Sequence, residues 1–273
     1  METALSFIFK FLTIVSFCIQ PMFGQSRLTT IAELSSELEE ISGITKGKDN
    51  TYLAINDSGN SNEIFVLNEK GEVVKKVKVV NAQNIDWEAI TKDQSGFVYI
   101  GDIGNNANKR EDLTVYKIRE ADIYNNTSVF ASKINIRYED QKAFPPSVSQ
   151  KNYDAEALIV RYDRIYIFTK NRTNPFTGYT YLYKFPNREG DHIISKVDSL
   201  FTGDVIAKSW ITDVSMSNDL RHIALLSHDK VWLISDFYRD LFFKGFVQEI
   251  ELDHFSQKES ICFKNDSILL IAD

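Results

Sequence analysis

The chain has 273 residues, a formal net charge of −7 at pH 7 and 43% hydrophobic residues. That length suits one all-β domain, and that acidity is a poor match for nucleic acid or an anionic membrane surface. With only two cysteines, Cys18 and Cys262, a disulfide-rich scaffold is excluded.

The predicted elements begin with a targeting segment. Lys10 precedes the apolar run Phe11-Leu12-Thr13-Ile14-Val15-Ser16-Phe17-Cys18-Ile19, and Gly24 offers a small residue before Gln25. The run is too short to span a bilayer and lacks a stop-transfer flank. It reads as a signal peptide over residues 1–24, which predicts a secreted or periplasmic protein with a single domain over 25–273. Only Cys262 survives cleavage. It lies in an apolar run and reads as inert core, so no internal disulfide is available.

Five short segments then recur: Ile41-Ser42-Gly43-Ile44, Trp87-Glu88-Ala89-Ile90, Ala155-Glu156-Ala157-Leu158, Thr212-Asp213-Val214-Ser215 and Lys258-Glu259-Ser260-Ile261. Their second residues are spaced by 46, 68, 57 and 46 positions. A period near 50 residues points to a propeller or solenoid. About 14 residues after each comes a β-rich run ending in polar residues: Tyr52-Leu53-Ala54-Ile55, Val98-Tyr99-Ile100-Gly101, Ile165-Tyr166-Ile167-Phe168, His222-Ile223-Ala224-Leu225-Leu226 and Ile268-Leu269-Leu270-Ile271-Ala272. Third strands are expected at residues 63–67, 114–118, 181–185 and 231–234, and weaker fourth strands at 73–80, 134–138, 193–197 and 246–252. The prediction is an all-β, five-bladed β-propeller with four-stranded antiparallel blades. The last repeat supplies only two strands before Asp273. Residues 28–34 are expected to close that blade as an outer strand, which leaves it three-stranded or the sequence truncated, with six blades in the second case.

Strand alternation predicts which residues share a face. The loop entering a first strand and the loop leaving a second strand lie at the same end. That end would gather Asp86, Trp87, Asp154, Asn56, Asp57, Asp102, Lys170, Arg172, His228 and Asp273. A register slip of one residue would send a side chain to the opposite face. The small residues Gly43, Ala89, Ala157 and Ser260 fit first strands converging on an axis, with Val214 as the exception.

Ser42, Glu88, Glu156, Asp213 and Glu259 are the predicted metal ligands. Carboxylates forced together repel unless a cation sits among them, and oxygen donors without His or Cys favour calcium over zinc or copper. The competing reading pairs these carboxylates with Lys or Arg, or leaves them hydrated.

Five repeats with oxygen ligands in the order Ser, Glu, Glu, a fourth oxygen and Glu resemble the calcium-dependent apyrases (soluble calcium-activated nucleotidases). The resemblance includes Ser42-Gly43-Ile44 and Glu259. It implies that Ser42, Glu88, Glu156 and Glu259 bind calcium; the family has Ser at the fourth place, where this chain is read as Asp213. A second resemblance rests on Asp86-Trp87-Glu88-Ala89-Ile90, Gly101-Asp102-Ile103-Gly104-Asn105-Asn106 and Asp154-Ala155-Glu156-Ala157-Leu158. These are similar to secreted bacterial propellers described as phytase-like or esterase-like.

The resulting expectation is a calcium-dependent hydrolase of phosphate esters or anhydrides. Asp57 or Asp102 would take a proton from water, Lys170, Arg172 or His228 would stabilise developing charge, and Asn56, Trp87, Arg172, Asp86 and Asp154 would contact substrate. His228 is the expected titrating group near neutrality. The alternative is a non-catalytic secreted propeller, with calcium as a structural ion and the face binding a ligand or protein.

Overall fold

The computed structural model describes residues 11–16 and 28–273. Most of the expected signal peptide, with its cleavage point, lies outside the described residues. The described chain is all-β, with two short helices and three 3₁₀ turns.

Strands β1 (Phe11–Ser16) and β2 (Thr29–Glu33) come first. Next are β3 (Ile41–Lys46), β4 (Tyr52–Asn56), β5 (Glu63–Leu67) and β6 (Val73–Val79), an antiparallel meander. β7 (Trp87–Lys92), β8 (Phe97–Asp102) and β9 (Thr114–Arg119) follow, then helix α1 (Glu120–Asn125). β10 (Ser128–Val129) adds to the edge of β6, and β11 (Ser132–Tyr138) pairs antiparallel with β9. β12 (Asp154–Arg161), β13 (Arg164–Lys170), β14 (Tyr179–Pro186) and β15 (Gly190–Phe201) form another meander. A parallel pairing of β15 with β11 joins these two runs into one eight-stranded sheet. Helix α2 (Ile206–Ser209) leads to β16 (Asp213–Met216), β17 (Ile223–Leu226), β18 (Lys230–Ser235) and β19 (Phe246–Glu251). The chain ends with β20 (Ser260–Asn265) and β21 (Ile268–Ala272), in a sheet of order β2-β1-β21-β20.

That last sheet holds four strands where the sequence accounted for three. β1, from the run read as part of the signal peptide, pairs with both β2 and β21.

The first strands neighbour one another in the order β3, β7, β12, β16, β20, and β20 returns to β3. Apolar clusters fill the space between successive runs. Leu53 and Ile64 pack with Val98 and Ile100, Tyr99 and Val115 with Leu158 and Ile167, and Tyr166 and Phe168 with Leu225 and Trp232. Ala224 and Leu226 pack with Ile261 and Leu269, and Cys262 and Leu270 with Ile44 and Phe65, so the packing also closes on itself. Each large side chain buried this way contributes about 1.5–3 kcal/mol relative to exposure. The convergence predicted from small residues is present at Gly43, where a Cβ would lie 2.8 Å from the Ile90 backbone nitrogen.

Candidate functional site

The chemistry-bearing positions on the first strands are set by β-bulges. Trp87 pairs with Asp102 and Ala89 with Gly101, so Glu88 has no opposite partner. The same interruption isolates Ser42 and Glu156. A bulge re-aims its extra side chain and ends regular pairing. Glu259 holds the equivalent place: its N–H donates to Ala272 O at 3.2 Å, while Ser260 pairs with Ala272.

The fourth run departs from the predicted register by one residue. Thr212 N–H donates to Leu226 O at 3.0 Å, while Asp213 pairs with Leu226. Thr212 therefore takes the bulge place, and Asp213 takes that of Gly43, Ala89, Ala157 and Ser260. The hydroxyls agree: Ser42 Oγ donates to Trp87 O at 2.6 Å and Thr212 Oγ1 to Lys258 O at 2.7 Å. Each tie ends at the residue preceding a bulge glutamate. Asp213 is corrected from ring ligand to a tether between strands. Its carboxylate accepts from Ile261 N and Val214 N at 2.7 Å each and from Ser260 Oγ at 3.2 Å. Burial still raises its pKa well above the ordinary carboxylate value. Val214 ceases to be an exception, because it is not the position that meets the neighbouring strand.

At the end of β13, Lys170 Nζ lies 2.9 Å from Glu156 Oε2, and both are buried. Arg172 Nε is 2.6 Å from Asp154 Oδ2 and its NH2 is 3.3 Å from Glu156 Oε1; the same nitrogen donates to Asn106 Oδ1. Burial drives Glu156 toward its neutral acid, opposed by Lys170 and Arg172. Lys170 is held above its ordinary pKa, because the charges of Glu156 and Glu259 outweigh its own desolvation. Half-buried Trp210 roofs this cluster, with Arg172 at 4.6 Å and Lys170 at 5.5 Å from its ring centroid.

The neighbouring part of the mouth is acidic. Carboxylate oxygens of Asp57, Asp86 and Glu88 lie within 4.8 Å of one another. Asp57 follows β4, Asp86 precedes β7, and Glu88 is the β7 bulge, so three separate backbone segments supply the group. Burial and the charges of Asp57 and Asp154 push the Asp86 pKa up to about 6. Glu88 is raised well above its usual value by burial and by Glu156, Asp57, Asp154 and Asp86. Gly104 adjoins the group: its N–H donates to Asp86 O at 3.2 Å, and a Cβ there would lie 2.5 Å from Asp86 Oδ2 and 2.6 Å from Glu88 Oε1.

Of the residues predicted to share a face, Asp57 and Asp86 meet beside Glu88, and Asp154, Lys170 and Arg172 meet around Glu156; the others are engaged differently. Asp102 is buried, 2.9 Å from Arg110 NH2, and its Oδ1 accepts from Asp86 N at 3.0 Å. It positions the Asp86 backbone and is 1% exposed. Trp87 is 0% exposed, donates its indole N–H to Gln83 O at 2.9 Å and packs near Tyr116, so it offers no surface for stacking. Asn56 is buried and donates to Glu37 O at 2.7 Å. Asp154 also accepts from Asn105 N at 2.7 Å, which places it as an organiser beneath Arg172. His228 is corrected as a near-neutral titrating group. Burial, then the charges of Lys170 and Lys258, push its pKa down to about 4, and its Nε2 has no hydrogen-bond partner among the described residues. Asp273 accepts from Ser256 Oγ.

Sequence reasoning missed Thr212, Arg110, Gly104, Lys258 and Trp210. Gly104 lay inside a quoted motif, and Trp210 stands two residues before the true bulge. Lys258 is fully buried and donates to His228 O at 3.1 Å, His254 O at 2.7 Å and Ser256 Oγ at 2.6 Å, pinning the last loop.

The donors at the mouth are oxygens and suit a hard divalent cation of calcium type. Glu156 is already engaged by Lys170 and Arg172, whereas Glu88, Asp57 and Asp86 have no basic side chain bonded to them among the described residues. Two surface cavities lie elsewhere. One of about 620 Å³ adjoins Thr114, Asn135, Arg137, Asp191 and His192, and one of about 390 Å³ adjoins Arg161, His222 and Phe237. Neither is lined by a predicted site residue.

No protein-family model and no curated protein matches the sequence. Among solved structures, the chain is similar to the Kuenenia stuttgartiensis hydrazine synthase at 10% identity and a TM-score of 0.42, covering 84% of this chain and 58% of that one. It is also similar to the computationally designed Ika4 protein at 10% identity and a TM-score of 0.33, covering 82% and 98%. The chain therefore spans less than two thirds of the hydrazine synthase chain.

Proposed function

We propose that this chain is a five-bladed β-propeller, secreted or periplasmic after removal of residues 1–24, that hydrolyses phosphate esters or anhydrides at the mouth of its axis with calcium as cofactor. The observation that supports this reading is the pairing of opposites at one end of the first strands. A carboxylate group formed by Asp57, Asp86 and Glu88 stands beside the Lys170–Arg172 cluster.

Bound calcium would supply a Lewis acid toward a phosphoryl oxygen and a water. Arg172 keeps 20% of its side chain exposed and presents a guanidinium already oriented by Asp154 and Glu156, suited to a phosphate oxygen. Lys170 is more deeply buried and acts through Glu156, holding positive charge near the axis. Asp57, like Asp86, is a partly exposed carboxylate of the mouth, and in this reading it would accept a proton from water. Trp210 replaces Trp87 as the aromatic surface available to a substrate. The hydroxyl of Thr212 at the fourth bulge also removes the departure from the apyrase ligand order noted above.

One observation favours a second reading, a non-catalytic binding propeller. Lys170 and Arg172 are internally neutralised by Glu156 and Asp154, as a purely structural network would be. Phosphate release from nucleoside di- and triphosphates and from phytate, with calcium and with EGTA, separates the two. Release that requires calcium supports the hydrolase. No release on any substrate from folded, calcium-loaded protein leaves the binding module.

A further inference from the structure

The axial ring expected from the repeats is divided. Its third member, Glu156, is held by Lys170 and Arg172, and the Ser42 and Thr212 hydroxyls donate to backbone oxygens of the following strands. Its second member, Glu88, is different. It is 7% exposed and has no hydrogen bond or ion pair among the described residues. A buried carboxylate in that condition is costly unless it is protonated or meets a cation.

Glu88 turns instead toward Asp57 and Asp86, whose oxygens complete a group within 4.8 Å. The basic residues nearby are committed to other acids. Arg110 bonds Asp102, Asp112 and Gly104 O, while Arg172 bonds Asp154 and Glu156. The backbone also leaves room beside the carboxylates. At Gly104 any side chain would begin 2.5 Å from Asp86 Oδ2 and 2.6 Å from Glu88 Oε1. The donor set is oxygen alone, from three segments that bulge, turn and loop into one place, which matches the preference of a hard cation for several carboxylate oxygens.

From this geometry we propose that Asp57, Asp86 and Glu88 form an off-axis divalent-cation site of calcium type, with Gly104 required to keep it open. The inference rests on the cation part of the reading above and is independent of the hydrolase part. The cation would bridge the first and second blades at their shared mouth, with Asp57 contributed by one and Asp86 and Glu88 by the other.

The test is calcium titration calorimetry on the full chain and on Asp57→Asn, Glu88→Gln, Gly104→Ala and Glu259→Gln, with circular dichroism to establish folding. Loss of an outer partner of a metal ligand costs about 10–100-fold in affinity, so loss of a direct ligand is expected to cost about 100-fold or more. Asp57 is partly exposed, and the three atoms nearest a Gly104 methyl belong to the Asp86 and Glu88 side chains, so these two variants keep the test valid should Glu88→Gln fail to fold. Affinity lost in Asp57→Asn and Gly104→Ala but kept in Glu259→Gln establishes the site. Affinity lost in Glu259→Gln and kept in Asp57→Asn and Gly104→Ala overturns it in favour of the axial ring, while the cation reading stands. No calcium binding by the unaltered protein overturns both, whatever the phosphate-release assay shows.

Discussion

The Thr212 hydroxyl donates to the Lys258 backbone oxygen at 2.7 Å, spanning two adjacent first strands. Ser42 makes the same bond to Trp87 O two strands further round. This equivalence moves Asp213 out of the ring and into the strand interface. Asp213→Ala would leave Ile261 N–H and the Ser260 hydroxyl without an acceptor, and is expected to cost about 2–4 kcal/mol. Thr212→Val, which removes one neutral bond, is expected to cost about 1 kcal/mol. Urea denaturation of both variants measures the contrast, and equal losses would contradict the register assigned here.

Lys170→Met tests the internal ion pair. Removing one partner leaves Glu156 buried with Arg172 as its remaining basic neighbour at 3.3 Å. Breaking a buried pair costs about 3–5 kcal/mol when nothing compensates, so about 2–4 kcal/mol is expected here. The double variant Lys170→Met with Glu156→Leu should recover much of that loss, because the uncompensated charge is gone. The readout is the midpoint and slope of equilibrium unfolding.

At Gly43 the close approach is to backbone, which cannot move as a side chain can. A methyl there meets Ile90 N at 2.8 Å, so Gly43→Ala is expected to destabilise by about 1–3 kcal/mol through overpacking. Glycines 59 and 96 have nothing within 4 Å of an added Cβ, and their positive φ values of 81° and 83° make their substitution a matter of backbone strain instead. Thermal melts of the Gly43 variant check the steric argument.

His228 predicts an acid limb in stability. Its folded pKa of about 4 lies below the ordinary 6.5, since desolvation, Lys170 and Lys258 outweigh Asp229 and Asp273. Between those values the folded protein binds fewer protons than the unfolded chain. The stability tied to neutral His228 is therefore full above pH 6.5 and is lost as pH falls through that window toward 4. Denaturation of the unaltered protein and of His228→Gln between pH 4 and 7 should give a shallower decline for the variant. Parallel declines would remove His228 from the account.

The N-terminus offers a further measurement. The proposed signal cleavage after Gly24 would give a mature protein beginning at Gln25, and intact-mass analysis of the protein recovered outside the cytoplasm reads this directly. Such a chain lacks β1 and its ladders to β2 and β21. It is expected to unfold at lower urea than the chain that retains residues 11–16.

The repeat spacing and the short β-branched and aromatic runs were enough to locate the first and second strands of each repeat, because strand propensity and turn residues are local properties. The face assignment was also legible. Strand alternation puts Asp57, Asp86 and Asp102 at one end whatever the packing, and Asp102 does bond Asp86 N. Small residues at 43, 89, 157 and 260 announced the close approach of first strands for the same reason.

What the tertiary structure alone decided was register and partnership. Asp213 and Thr212 differ by one step along a strand, and only the opposing Leu226 carbonyl distinguishes them. Asp102, Asp57 and Glu88 are alike as acids in sequence. Arg110 binds the first, while no basic group among the described residues binds the other two, because residues 53 positions apart, such as Asp57 and Arg110, meet or miss through folding alone. Burial set the rest. Trp87 and Trp210 are the same side chain in composition, but the first is sealed between sheets and the second roofs Lys170 and Arg172 at the mouth. Local sequence determines which strands form; the sign and solvent exposure of a site depend on which distant side chains those strands bring together.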